Sequence, residues 1–296
     1  MTPRFDLQSH STHSDGVLSA AEVVQRAADA GVELLALSDH DTVSGVTEAI
    51  AEGQRVGVEV VSAVEISSID ATAGAGDGIG KPRELHILGY RIQHTGAAIT
   101  ARLADFLADR EKRTLRMRDA LRDVGFDLDE AEIQARIAEG KPIGRPHLAG
   151  AVLRAPANAQ RLHDEGIDDV GSLIRGYLIE GKSAFRLRET PTVAEAVEAI
   201  HEAGCVAIWA HPYWDIADDR EVLDAIDRFH ALGIDGIEAF YITHTRENTQ
   251  LLVERCTELG LLTTGSADFH GPENRQFSQF MAFDTYGFQP NLGPIA

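Results

Sequence analysis

Short apolar runs of strand length alternate with amphipathic helical stretches along most of this chain, and that alternation restricts its fold more than any other feature. Residues 4–8, 33–38, 59–67 and 84–90 read as strands in the first third, and 206–210, 236–241 and 262–267 in the last. Ser19 with Glu22, and Thr192 with Glu195, are capping boxes, in which a hydroxyl and a carboxylate three residues apart satisfy free N–H groups at a helix start. Repeated βα units imply parallel strands with helices packed outside. Between residues 95 and 190 the pattern turns helical, charged and strand-poor. The expected architecture is α/β: a barrel-like domain built from residues 1–94 and 191–296, hosting a helical insertion domain at 95–190. The Gly-rich stretch between residues 70 and 82 reads as a flexible loop.

Composition removes several function classes. The 296 residues carry a formal net charge of −20, so the chain lacks the overall basicity with which proteins hold long nucleic acid. A long duplex is not an expected partner, whereas a small phosphorylated substrate met by cations is compatible. No apolar run approaches the roughly 20 residues that span a bilayer, and the N-terminal residues lack the apolar core of a signal peptide. A cytoplasmic protein without membrane contact is expected. Cys205 and Cys256 make neither a disulfide framework nor a thiolate metal site. The Arg-rich run at 110–118 alternates with Glu111, Leu115 and Met117, as a solvated helix face would.

Most strand-like runs close on His, Asp or Glu. The first contains Asp6, Gln8 and His10, which a strand projects to one side, and leads into Ser14-Asp15-Gly16. The second ends in Asp39-His40-Asp41 and the third in Glu65; His86 lies in the fourth. His211-Pro212 follows 206–210, and Asp268-Phe269-His270 follows the last. One histidine after an apolar run is ordinarily a hydrogen-bonded core residue. So many polar groups at corresponding strand ends need a common partner, and shared cations are the simplest one. Imidazole mixed with carboxylate suits Mn²⁺, Zn²⁺ or Fe.

Asp6-Leu7-Gln8-Ser9-His10 with Ser14-Asp15-Gly16, Ser38-Asp39-His40-Asp41, Val64-Glu65-Ile66-Ser67, His86-Ile87-Leu88-Gly89, Ala210-His211-Pro212 and Asp268-Phe269-His270 resemble, in order, the motifs of the polymerase and histidinol phosphatase (PHP) family. The resemblance implies a distorted (β/α)7 barrel carrying two or three divalent metal ions. One ion would take His10, Glu65 and Asp268, a second Glu65, His86 and His211, and a third Asp15, His40 and His270. The family usually has histidine where this chain has Gln8, whose carbonyl oxygen is a weaker, neutral ligand; retained but weakened binding is expected there.

The helical insertion and Gly144-Arg145-Pro146-His147 resemble the branch acting on nucleoside 3′,5′-bisphosphates and short RNA 5′ ends. That implies a phosphoesterase using a metal-activated hydroxide. Asp15, His40, Glu65 and His211 would form the catalytic set, with His244 as substrate contact or leaving-group acid. Arg145 would clamp phosphate through its guanidinium fork, assisted by His147 and Lys182. Tyr213 and Trp214 follow His211-Pro212, where relatives often carry arginine, and either could stack on a base. The alternatives are a histidinol-phosphate-type phosphomonoesterase and a non-catalytic nucleotide- or metal-binding protein.

Overall fold

The computed structural model describes residues 4–73 and 82–296. Its elements in chain order are β1 (Phe5–Asp6), α1 (Ala20–Asp29), β2 (Leu34–Leu37), α2 (Val46–Val56), β3 (Glu59–Asp70), β4 (Arg83–Tyr90), α3 (Ala97–Asp123), α4 (Ala131–Ala138), α5 (Arg145–Arg154), α6 (Ala159–Asp164), α7 (Val170–Leu173), α8 (Val193–Glu202), β5 (Val206–Trp209), α9 (Pro212–Asp215), α10 (Asp219–Ala231), β6 (Gly236–Tyr241), α11 (Arg246–Leu259) and β7 (Leu262–Ser266). Both expected capping boxes form, at Ser19 and at Thr192.

The chain divides into two compact units, residues 1–104 with 190–296, and residues 105–189; the first division falls inside the unbroken helix α3. In the first unit, seven strands lie in sequence order from β1 to β7. Leu7 N donates to Gly265 O at 3.1 Å and Ser9 bridges Phe269, which brings β7 back beside β1 and nearly closes a distorted barrel. Helix α1 packs Val23, Val24 and Ala27 against Leu35 and Leu37 of β2, an amphipathic face buried on a strand that is apolar on both sides.

One expectation fails. Strand β4 runs antiparallel to both β3 and β5, whereas the other neighbouring pairs are parallel. A parallel return needs a crossover, usually a helix; β3 and β4 are joined instead by the Gly-rich stretch, of which residues 74–81 lie outside the described residues. The hairpin pairs His86 with Ser67, so a polar group from β4 enters the barrel interior near Glu65 of β3.

The second unit is helical around Met117, Leu121, Phe126, Leu148 and Val152. Here the run at 110–118 is not a wholly solvated face. Arg110 and Arg113 are buried, and their guanidinium groups donate to Ile143 O at 3.2 Å and Arg186 O at 2.7 Å. Their apolar stems pack while the charged heads serve orphan carbonyls. Among the described residues no helix is long and apolar enough to cross a membrane.

Candidate metal centre

The loop after β1 is shaped by close approach. A Cβ on Gly16 would sit 2.2 Å from the His10 carbonyl oxygen, so the turn requires glycine. Asp39 pins the same loop by accepting from Ser11 N at 2.8 Å, Ser11 Oγ at 2.7 Å and Ser14 Oγ at 2.5 Å. At neighbouring strand ends, Asp41, His211 and Asp268 hold left-handed backbone with φ of 55°, 32° and 53°. Each such residue costs about 1–3 kcal/mol and persists where its surroundings over-determine it.

These turns gather imidazoles and carboxylates around Glu65, which is 1% exposed. Glu65 Oε2 lies 3.0 Å from His10 Nε2 and 3.5 Å from His40 Nδ1; Oε1 lies 2.5 Å from His86 Nδ1 and 3.2 Å from His211 Nε2. Asp268 Oδ1 approaches His10 Nε2 at 3.1 Å. Asp15 stands 3.6 Å from His10, His40 and His270. His270 Nδ1 faces its near backbone partner Asp268 O at 2.7 Å, which assigns the proton to Nδ1 and leaves the Nε2 lone pair for another partner, the usual arrangement of a ligating imidazole.

The charge balance describes a set built for cations. Burial raises Glu65, but the imidazoles of His40 and His86 overcome it and hold the carboxyl well below the usual range. Burial lowers His10, yet Asp268 and Glu65 keep it well above the ordinary range for imidazole, and Glu65 raises the equally buried His211 to about 9. Without metal, protons supply the positive charge these carboxylates need. Moreover, the buried atoms His10 Nε2, Glu65 Oε2, His86 Nδ1 and Asp268 Oδ1 make no hydrogen bond despite their proximity. Ligand atoms that approach without hydrogen-bonding geometry converge on shared space, and with the imidazole protons displaced the residues fit a divalent ion there. Three overlapping groups could each hold one: His10, Glu65 and Asp268; His40, Glu65 and His86; and His10, Asp15, His40 and His270. His40 thus joins Glu65 and His86 in a group where the expected second set had His211, because β4 and β2 flank β3 on opposite sides.

Gln8 is fully buried; its carbonyl oxygen accepts from Ser266 Oγ at 3.4 Å and its Nε2 makes no hydrogen bond. His244 is buried, and its Nδ1 faces Ala239 O at 3.1 Å, so Nε2 is an acceptor. Burial lowers His244 to about 4, so near neutrality it is an uncharged imidazole. The Tyr213 hydroxyl donates to Asp219 at 2.8 Å and its ring is half-buried, while Trp214 is 50% exposed. Arg145, His147 and Lys182 belong to the second unit: Arg145 opens α5, His147 Nδ1 accepts from Gly144 N at 3.1 Å and caps that helix, and Lys182 is exposed.

Two buried groups escaped the sequence reading. Tyr241 donates its hydroxyl to Asp268 Oδ2 at 2.8 Å and orients that carboxylate. Glu238, fully buried, accepts from His211 N at 2.9 Å and from Ser266 Oγ at 2.6 Å. A charge inside the apolar run 236–241 was the visible signal for Glu238.

Residues 6–128 match the PHP domain model. The chain is 36% identical to a 5′-3′ exoribonuclease of Haemophilus influenzae, over 92% of both chains. The chain belongs to the PHP family. A relative from Chromobacterium violaceum, 3′,5′-nucleoside bisphosphate phosphatase, is 30% identical over 90% of this chain and 87% of its own. A solved structure from the same organism, described as an amidohydrolase with bound sulfate and no metal, is 27% identical with a TM-score of 0.79, covering 94% of this chain and 91% of that one. As a PHP protein with phosphatase and nuclease relatives, this chain is a hydrolase of phosphate esters.

Proposed function

We propose that this chain is a cytoplasmic, divalent-metal-dependent phosphatase of small nucleotides, acting on nucleoside 3′,5′-bisphosphates or short RNA 5′ ends. The observation that carries the reading is the overlap of three donor groups, each with ligand atoms within 4.8 Å of one another. Two or three ions of Mn, Zn or Fe suit the mixed imidazole and carboxylate donors. The names of the exoribonuclease and bisphosphate phosphatase relatives support a nucleotide as substrate. The net charge of −20 favours a small ligand over a long duplex.

Each side chain has a defined task. Glu65 turns one oxygen toward His10 and His40 and the other toward His86 and His211, so it would bridge neighbouring ions. Asp15 and His270, with His10 and His40, would hold one ion, the His270 ring being fixed by the Asp268 carbonyl. Tyr241 fixes the Asp268 carboxylate, and Asp39 holds the loop that carries His10 and Asp15. When bound, such ions lower the pKa of water to supply a nucleophile and neutralise charge on the phosphoryl oxygens. Arg145 is assigned to a second phosphate on its guanidinium fork, with Lys182 assisting.

The test is elemental analysis of protein purified without chelators, followed by hydrolysis assays at saturating Mn²⁺. Two or three equivalents of metal and a preference for nucleoside 3′,5′-bisphosphate over nucleoside monophosphate and histidinol phosphate are expected. A metal-free protein inert towards all three overturns the proposal.

A further inference from the structure

Trp214 stands out among the described residues. It is 50% exposed, and the other large exposed hydrophobics are aliphatic, Val17 and Leu232. A single exposed apolar side chain is ordinary; a row of rings leading from one to a cluster of ligand candidates is not. The Trp214 ring lies 5.6 Å from Phe277, and Phe277 lies 5.4 Å from His270. Trp214 also meets Tyr241 edge-on at 6.4 Å, and Tyr241 donates to Asp268. The indole is therefore continuous with two carriers of the proposed metal centre while one side of it stays open.

We infer that Trp214 is the platform on which the base of a nucleoside phosphate stacks while its phosphate engages the metal centre. The inference rests on the proposed phosphatase reading and specifies its substrate subsite. Charge argues the same way. A chain of net charge −20 attracts phosphate poorly away from its cations, so an uncharged contact to the base adds affinity that the surface charge does not supply. Stacking on an aromatic face tolerates any base and strengthens with ring size, which puts purines ahead of pyrimidines. Phe277 packs against the indole with the rings tilted, and the neighbouring Tyr213 hydroxyl is tied to Asp219.

The test uses the metal-loaded full chain and a nucleoside 5′-monophosphate, with ribose 5-phosphate as the base-free probe. Calorimetry on wild type should give tighter binding of the nucleotide than of ribose 5-phosphate. Trp214→Ala should weaken nucleotide binding about tenfold or more, and Trp214→Phe should restore most of it. Protection of indole fluorescence from iodide by the nucleotide reports the same contact, because Trp209 is fully buried. Equal nucleotide affinity in Trp214→Ala and wild type overturns the platform, even if the enzyme hydrolyses nucleotides well. Conversely, Trp214-dependent binding without hydrolysis of any phosphate ester sustains the platform and removes the phosphatase reading.

Discussion

His10 Nε2 sits 3.0 Å from Glu65 Oε2, although β2 separates their strands in the sheet. Only the curvature of a nearly closed barrel brings these tips together, and Glu65 then meets three more imidazoles. Glu65→Gln removes the charge that bridges the donor groups. Metal content should fall by at least one equivalent in elemental analysis, and kcat/KM should drop by about three orders of magnitude, the scale expected when electrostatic stabilisation at a reacting phosphate is lost.

Metal removal should give the protein an unusual pH dependence. In the metal-free chain, burial raises Asp6 to about 7 and Glu238 to about 8, while His211 stands at about 9 despite burial because of Glu65. All three bind protons more tightly folded than unfolded, so their stabilisation is present at low pH and lost as pH climbs from about 4 through about 9. Glu65 and Asp268, held low, weigh in the opposite sense only towards acid, and His244, lowered by burial to about 4, does so below about 6.5. The melting temperature of chelated protein should fall as pH rises from about 6.5 to about 9, and Mn²⁺ should flatten the decline by replacing protons. A rising curve in scanning fluorimetry over that window contradicts this charge balance.

Gln8 offers an unbonded amide nitrogen in a fully buried position. Imidazole is a stronger donor than an amide oxygen. Gln8→His should tighten the weakest-held ion about tenfold, read by competition with a chelating dye. Unchanged affinity would place residue 8 outside the ligand set.

The proposed function gives Arg145 the second phosphate of a bisphosphate substrate. Arg145→Ala should raise KM for a nucleoside 3′,5′-bisphosphate about tenfold and leave KM for a monophosphate nearly unaltered. Equal changes for both substrates would instead assign Arg145 to the support of α5, which it opens.

Much of this was legible in the chain because a polar residue closing an apolar run is a local signal. His40, Glu65, His211 and Asp268 announce themselves that way, and His86 does so inside its run. The direction of β4 was not legible as read, since pairing is set by what joins two strands rather than by their composition. Tyr241 looked like any strand aromatic, because its hydroxyl partner Asp268 belongs to the turn after another strand. The burial of Arg110 and Arg113 depends on carbonyls at Ile143 and Arg186, distant in sequence. The acceptor state of His244 likewise follows from a backbone oxygen at Ala239 and from burial.

The most direct test is an anomalous diffraction map from crystals grown with Mn²⁺. The account expects at least two peaks, each roughly 2.0–2.3 Å from donor atoms among His10, Asp15, His40, Glu65, His86, His211, Asp268 and His270, with Glu65 touching more than one. Well-ordered crystals at saturating Mn²⁺ with no peak among these side chains would contradict it.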